Sequence, residues 1–161
     1  MSPKAFFLIL LCTPWNAVCQ SLTPSGFEAW PVAIERRVFP GTFRREPAVR
    51  TIRLAGCRNE VVSAQLASRS DKTSRLGYRL SPLRGTQSAE IPVDALQLRF
   101  GMYLPVDETA QYTADPLLDS KSQALPANVV LPLWLTVRIP KSIRSGRYQG
   151  TLALSADDRS L

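Results

Sequence analysis

The chain has 161 residues, of which 45% are hydrophobic and 20% charged, a globular composition and not a disordered one. It contains no histidine, which excludes a Ser-His-Asp triad, a Cys-His pair, histidine metal sites and imidazole acid–base chemistry. Its net charge is +7, but the arginines that dominate it are scattered singly or in pairs, as at Arg36-Arg37 and Arg44-Arg45, with no aromatic-rich motif or basic helix, so no nucleic-acid partner is expected.

Residues 1–19 read as a secretory signal peptide. Lys4 gives a positive start, Ala5 to Cys12 form an apolar run, and Ala17-Val18-Cys19 offers a small-residue cleavage pattern after Pro14. The alternative is an apolar N-terminal strand. The run is too short to span a bilayer, so no membrane association is expected after cleavage. Acylation of Cys19 is disfavoured by Val18 and Asn16 before it. The expected mature unit is residues 20–161, one domain located in the periplasm or outside the cell. Cys57 would be its single thiol. That leaves no internal disulfide, and with no histidine beside it Cys57 is expected to be a small buried hydrophobe. No cofactor and no metal site are expected.

The remaining periodicity is mostly two, the strand period. Ala29 to Phe39 holds a weak strand broken at Pro31. Val49 to Leu54 alternates with Ile52 and Leu54 inward, Val61 to Ser68 puts Val62, Ala64 and Leu66 on one side, and Gly77 to Leu83 is a further candidate. The clearest strand is 95–104, with Leu96, Leu98, Phe100, Met102 and Leu104 on one face. Residues 105–130 show no convincing period and read as a long ordered loop that packs on something. In 131–139, Leu131, Leu133, Leu135, Val137 and Ile139 share a face, and the strand ends at Pro140. After the turn 141–146, a strand at 147–155 buries Tyr148, Leu152 and Leu154. Gly150 interrupts that face and marks a bulge or a close approach. Six or seven short strands with Pro and Gly punctuation predict an all-β, immunoglobulin-like antiparallel β-sandwich.

Three segments carry a family resemblance: Ala55 to Leu66, with Arg58-Asn59-Glu60 and Gln65-Leu66; Asp115-Pro116-Leu117-Leu118; and Pro132 to Gly150, PLWLTVRIPKSIRSGRYQG. In this order and rough spacing they resemble the N-terminal domain of glycoside hydrolase family 123-like proteins, over about residues 28–156. The resemblance implies a β-sandwich that precedes a barrel. In the family the barrel carries an adjacent Asp-Glu catalytic pair and cleaves N-acetylgalactosaminides with help from the substrate. No catalytic residue carries over to this chain, and the sandwich is expected to stop short of its last strand after Ala156-Asp157-Asp158.

Glycoside hydrolysis needs two carboxylates about 5–5.5 Å apart for retention or roughly 6.5–9.5 Å for inversion. Asp107-Glu108 lie in the long segment and read as solvated loop, and Asp157-Asp158 as a turn. Glu60, at a strand edge, reads as half of an ion pair with Arg58 or Arg53 or as a cap on a turn; the alternative is a docking contact. Trp134 faces away from the leucine side of its strand, so it reads as second-layer core, domain interface or sugar platform. Trp30 and Tyr148 read as core, with Trp30 the second platform candidate. Asp115 starts a turn, and Leu117 and Leu118 would be the apolar contacts if their segment docks a catalytic domain.

The expected function is therefore that of a non-catalytic N-terminal accessory module of an exported glycoside hydrolase-like protein. Its expected partner is a catalytic barrel domain, and carbohydrate is the second candidate partner. The alternatives are a stand-alone carbohydrate-binding or strand-exchanging periplasmic sandwich, or a truncated fragment without a function of its own.

Overall fold

The computed structural model describes residues 6–11, 26–42, 51–105, 112–157 and 159–161. These form β1 (Phe6–Leu11), β2 (Phe27–Val32), β3 (Thr51–Gly56), β4 (Val61–Ser70), β5 (Ser74–Leu80), β6 (Leu83–Arg84), β7 (Glu90–Ile91), β8 (Leu96–Pro105), β9 (Tyr112–Leu118), β10 (Ser122–Leu125), β11 (Val130–Arg138), β12 (Arg147–Ala156) and β13 (Arg159–Ser160), with one 3-10 turn at Val93–Ala95. One sheet has the order β2-β4-β11-β8-β9, all antiparallel. The other has the order β10-β5-β12-β1-β3, with β6, β7 and β13 attached around β12. The fold is an all-β sandwich of two sheets, as the period-two pattern predicts.

The inner faces are the predicted ones. Leu131, Leu133, Leu135, Val137 and Ile139 are all buried, and so are Leu96, Leu98 and Phe100 beside them and Tyr148, Leu152 and Leu154 opposite. Each fully buried chain of this size contributes roughly 1.5–3 kcal/mol. Gly150 marks a close approach. A Cβ there would lie 2.6 Å from Leu83 Cδ2 and 2.8 Å from the Pro82 carbonyl oxygen, where the β5–β6 connection crosses β12.

Three expectations change. Residues 112–118 and 122–125 are strands, not loop, and they carry the chain from one sheet to the other. Their period is hidden because β9 and β10 are edge strands and β9 contains a bulge. From Gly101 to Tyr103, β8 advances two residues while β9 advances three, from Leu117 back to Ala114. The extra residue falls at Asp115-Pro116, where a proline without an N–H is tolerated. Past this bulge the alternation of β8 fails: Met102 is half-buried and Leu104 exposed. Pro31 does not break β2, because β2 pairs only with β4 and leaves one side unpaired.

The apolar run of the predicted signal is seen as β1. It lies between β3 and β12, antiparallel to the first and parallel to the second. The cleavage pattern at 17–19, Asp107-Glu108 and Asp158 lie outside the described residues. Among the described residues, no helix is long and apolar enough to cross a membrane.

Candidate functional site

The outer face of the five-stranded sheet carries the Trp134 cluster. The register sets Gln65 of β4 opposite Trp134 of β11, and Trp134 opposite Arg99 of β8. At one end of this face, Trp30, Val38, Ala67 and Val130 form a small second core. The segment 33–42 folds over it and is held at two points. The Val130 N–H donates to the Pro40 carbonyl at 2.9 Å, and the Tyr103 hydroxyl lies 3.4 Å from the Val38 carbonyl. Trp30 is therefore a core residue and no platform, since the 33–42 segment covers it.

The same segment leaves Ile34 and Phe39 about half exposed, at 50% and 48%. Between it and the sheet lies a cleft of about 230 Å³, lined by Arg36, Arg37, Gln65, Asp115 and Trp134 with the two apolar side chains. Trp134 is half-buried on this cleft. Asp115 reaches it because the β9 bulge turns that residue out of the ladder, a re-aiming that bulges commonly provide. Two polar atoms beside Trp134 lack a hydrogen-bond partner among the described residues: the buried Gln65 Oε1, an acceptor, and the buried Arg99 Nε, a donor. Native interiors rarely leave such atoms unpaired.

The other predicted site residues lie elsewhere. Glu60 is exposed and closes the β3–β4 turn, with its Oε2 accepting from the Cys57 N–H at 2.5 Å. Asn59, in that turn, has φ 63°, a left-handed conformation that asparagine tolerates. The turn is tied to the end of β11, with Asn59 N–H donating to the Ile139 carbonyl and Ile139 N–H to the Glu60 carbonyl. Arg58 reaches Ser145 Oγ at 3.4 Å instead of Glu60. Cys57 is exposed, not buried, because the turn holds it beyond the end of β3. Leu118 packs against the inner core beside Phe100, and Leu117 is half-buried opposite Gly101.

Residues 42–156 match the family model described as the glycoside hydrolase 123 N-terminal domain. The chain belongs to this family. No curated protein matches it. Among solved structures it is similar to a family 123 glycoside hydrolase from Clostridium perfringens, a subject of work on glycolipid glycan hydrolysis, with a TM-score of 0.56 and 14% identity over 64% of this chain. The match spans 20% of that enzyme's length, and at this identity it establishes the shared fold.

In this glycoside hydrolase 123 N-terminal domain, no three Asp, Glu or Cys residues cluster as metal ligands among the described residues. A second cleft, of about 820 Å³, was not foreseen from the sequence. It is lined by Tyr78, Arg79, Gln97, Asp119, Lys121 and Arg138 among others. Gln97 Nε2 donates to Asp119 Oδ2 at 2.9 Å, and Lys121 Nζ lies 5.7 Å from the Tyr78 ring centre, so much of its polar lining is already partnered. Its residues come from both sheets and share no sequence pattern. Gln65 and Arg99 escaped the sequence reading for a different reason: a polar residue on an outward strand position looks ordinary until its neighbours are known. Their alignment with Trp134 is a property of register alone.

Proposed function

We propose that this chain is the non-catalytic accessory module of an exported glycoside hydrolase-like protein and that it docks on a catalytic barrel. One observation carries the reading: the chain belongs to a family of N-terminal domains, and the similar enzyme from Clostridium perfringens has four-fifths of its length outside the matched part. The docking face is the outer face of the five-stranded sheet, where Ile34, Phe39 and Trp134 ring the cleft. An exposed aromatic and aliphatic cluster with charged residues at its rim has the composition of an interface centre.

The test is titration of the full chain with a family 123 catalytic barrel, read by analytical ultracentrifugation. The expected outcome is a one-to-one complex that is lost in Trp134→Ala. No complex at about 100 µM, a concentration where even weak domain contacts register, defeats the docking. The chain alone is expected to leave a chromogenic N-acetylgalactosaminide intact, and turnover by it would defeat the non-catalytic reading. Export is read separately by fractionating cells with an antibody against residues 20–161.

A second reading has its own support. The unpartnered Gln65 Oε1 and the Trp134 ring, which both belong to residues lining the cleft, suit a hydroxyl-rich ligand, so the cleft is also a candidate sugar site. Tryptophan fluorescence on titration with N-acetylhexosamines separates the two. Under the docking reading there is no change at millimolar sugar. A saturable shift lost in Trp134→Phe selects the sugar site.

A further inference from the structure

One side of β12 is shared by two strands that head toward each other. Residues 147–151 of β12 pair in parallel with residues 7–11 of β1. At the other end, Ser155 and Ala156 pair antiparallel with Ser160 and Arg159 of β13. The ladder continues one step further, with Leu161 N–H donating to the Leu154 carbonyl at 2.8 Å and Leu154 N–H to the Leu161 carbonyl at 3.2 Å. Strands β5 and β6 occupy the opposite side of β12. Leu161 thus faces Leu154 while Leu11 faces Thr151, and only Leu152 and Ala153 separate them along the edge.

The direction of β13 is fixed. Its turn is pinned to the start of β5, with the Arg75 N–H donating to Asp157 Oδ1 at 3.0 Å and the Asp157 N–H to the Arg75 carbonyl at 3.2 Å. In this register, the third to seventh residues of any strand collinear with β13 fall opposite Thr151 to Arg147, the positions now held by β1. The two occupants exclude each other. They are also unequal. The β1–β12 pair is parallel, slightly weaker per residue, and closes a long loop across the whole chain, whereas a strand growing from β13 extends a hairpin that is already formed.

We propose that the position between β3 and β12 is an exchangeable strand site, held in this structure by residues 6–11 and taken over by an apolar, alternating strand collinear with β13. The incoming strand runs antiparallel to β12 and parallel to β3. Its core-facing residues join Ile52, Tyr148 and Leu152, which line the inner face on either side of the site. The residues expected to be removed as a signal would then act before removal as a placeholder, shielding the edges of β3 and β12 from pairing with other chains. This inference is independent of the docking on a barrel.

Hydrogen exchange read by mass spectrometry tests it on the full chain and on the full chain extended after Leu161 by eight residues of alternating Val and Thr. In the unextended chain, amides 6–11 are expected to be protected. In the extended chain they lose protection by at least about tenfold, while 147–151 keep theirs and the extension becomes protected. An extension with proline at alternate positions leaves 6–11 unchanged. Should the extended chain fail to fold, the Val-Thr segment is added to the full chain as a free peptide, with the same loss expected at 6–11. Residues 6–11 that stay protected beside a freely exchanging extension or peptide overturn the proposal. So do residues 6–11 that are unprotected from the outset.

Discussion

The Tyr103 hydroxyl donates to the Val130 carbonyl at 2.8 Å, so one side chain on the outer face of β8 holds the start of β11. It also lies 3.4 Å from the Val38 carbonyl and so meets the segment that covers Trp30. Burial holds the Tyr103 phenol well above its ordinary pKa of 10, and burial likewise raises Tyr148, against a smaller lowering by Arg144.

These shifts give stability a defined alkaline limit. A group whose folded pKa is raised contributes fully below its unfolded pKa and loses that contribution as pH climbs past it. Stability is therefore expected to be flat toward pH 9 and to fall above about pH 10, where the unfolded tyrosines ionise and the folded ones do not. Tyr103→Phe is expected to cost about 1 kcal/mol at pH 7 and to make the alkaline fall shallower. Urea unfolding between pH 7 and 11 checks both, and an identical alkaline slope in the variant removes Tyr103 from the account.

Gly150→Ala is expected to destabilise by roughly 1–3 kcal/mol, because the added methyl meets Leu83 Cδ2 at 2.6 Å and the Pro82 carbonyl oxygen at 2.8 Å, and a backbone carbonyl has little freedom to retreat. Gly77→Ala is the control. Its nearest neighbour would be Ser155 Oγ at 3.4 Å, an ordinary contact, so its stability is expected to change by less than about 0.5 kcal/mol. Thermal unfolding of both variants decides. Equal losses would mean that strand propensity, and not the crossing at Pro82, accounts for the cost.

The contrast between these glycines shows what was legible beforehand. The gap in the apolar face of 147–155 marks Gly150 in the sequence, but what fills the gap is the distant connection at Pro82 and Leu83. The core strands β8, β11 and β12 were readable because their apolar side chains alternate along much of each strand, so one face reads as a continuous apolar stripe. β9 was not, because an edge strand with a bulge and a proline has neither two partners nor a constant phase. The candidate site divides the same way. Trp134 stood out as an aromatic on the wrong side of a leucine stripe, while Gln65, Arg99 and the 33–39 segment become its neighbours only through register and chain reversal.

Gln65 and Trp134 are expected to separate function from stability. Gln65→Leu removes a buried acceptor without a donor, so it is expected to raise stability by about 1 kcal/mol while weakening whatever contacts the cleft. Trp134→Ala is expected to cost at least about 2 kcal/mol in barrel affinity, the scale of an interface hot spot. Urea unfolding and binding titration on the two variants provide the check. A Gln65→Leu protein that loses stability would show that Oε1 has a partner after all.

Cys57 provides a probe of the β3–β4 turn. Because its side chain is exposed, it is expected to react with a thiol reagent in the folded protein, at a rate that does not rise with urea below the unfolding transition. Cys57→Ser identifies its share of the labelling. The turn itself depends on Glu60 Oε2 accepting from the Cys57 N–H. Glu60→Ala strands that donor and is expected to destabilise by about 0.5–1.5 kcal/mol, whereas Glu60→Gln keeps an acceptor at the same reach and is expected to lose less. If Glu60 instead serves a docked barrel, Glu60→Gln would leave stability intact and lower barrel affinity. The turn role predicts the reverse order of effects: Glu60→Ala lowers the unfolding midpoint, and neither variant alters binding in the ultracentrifuge.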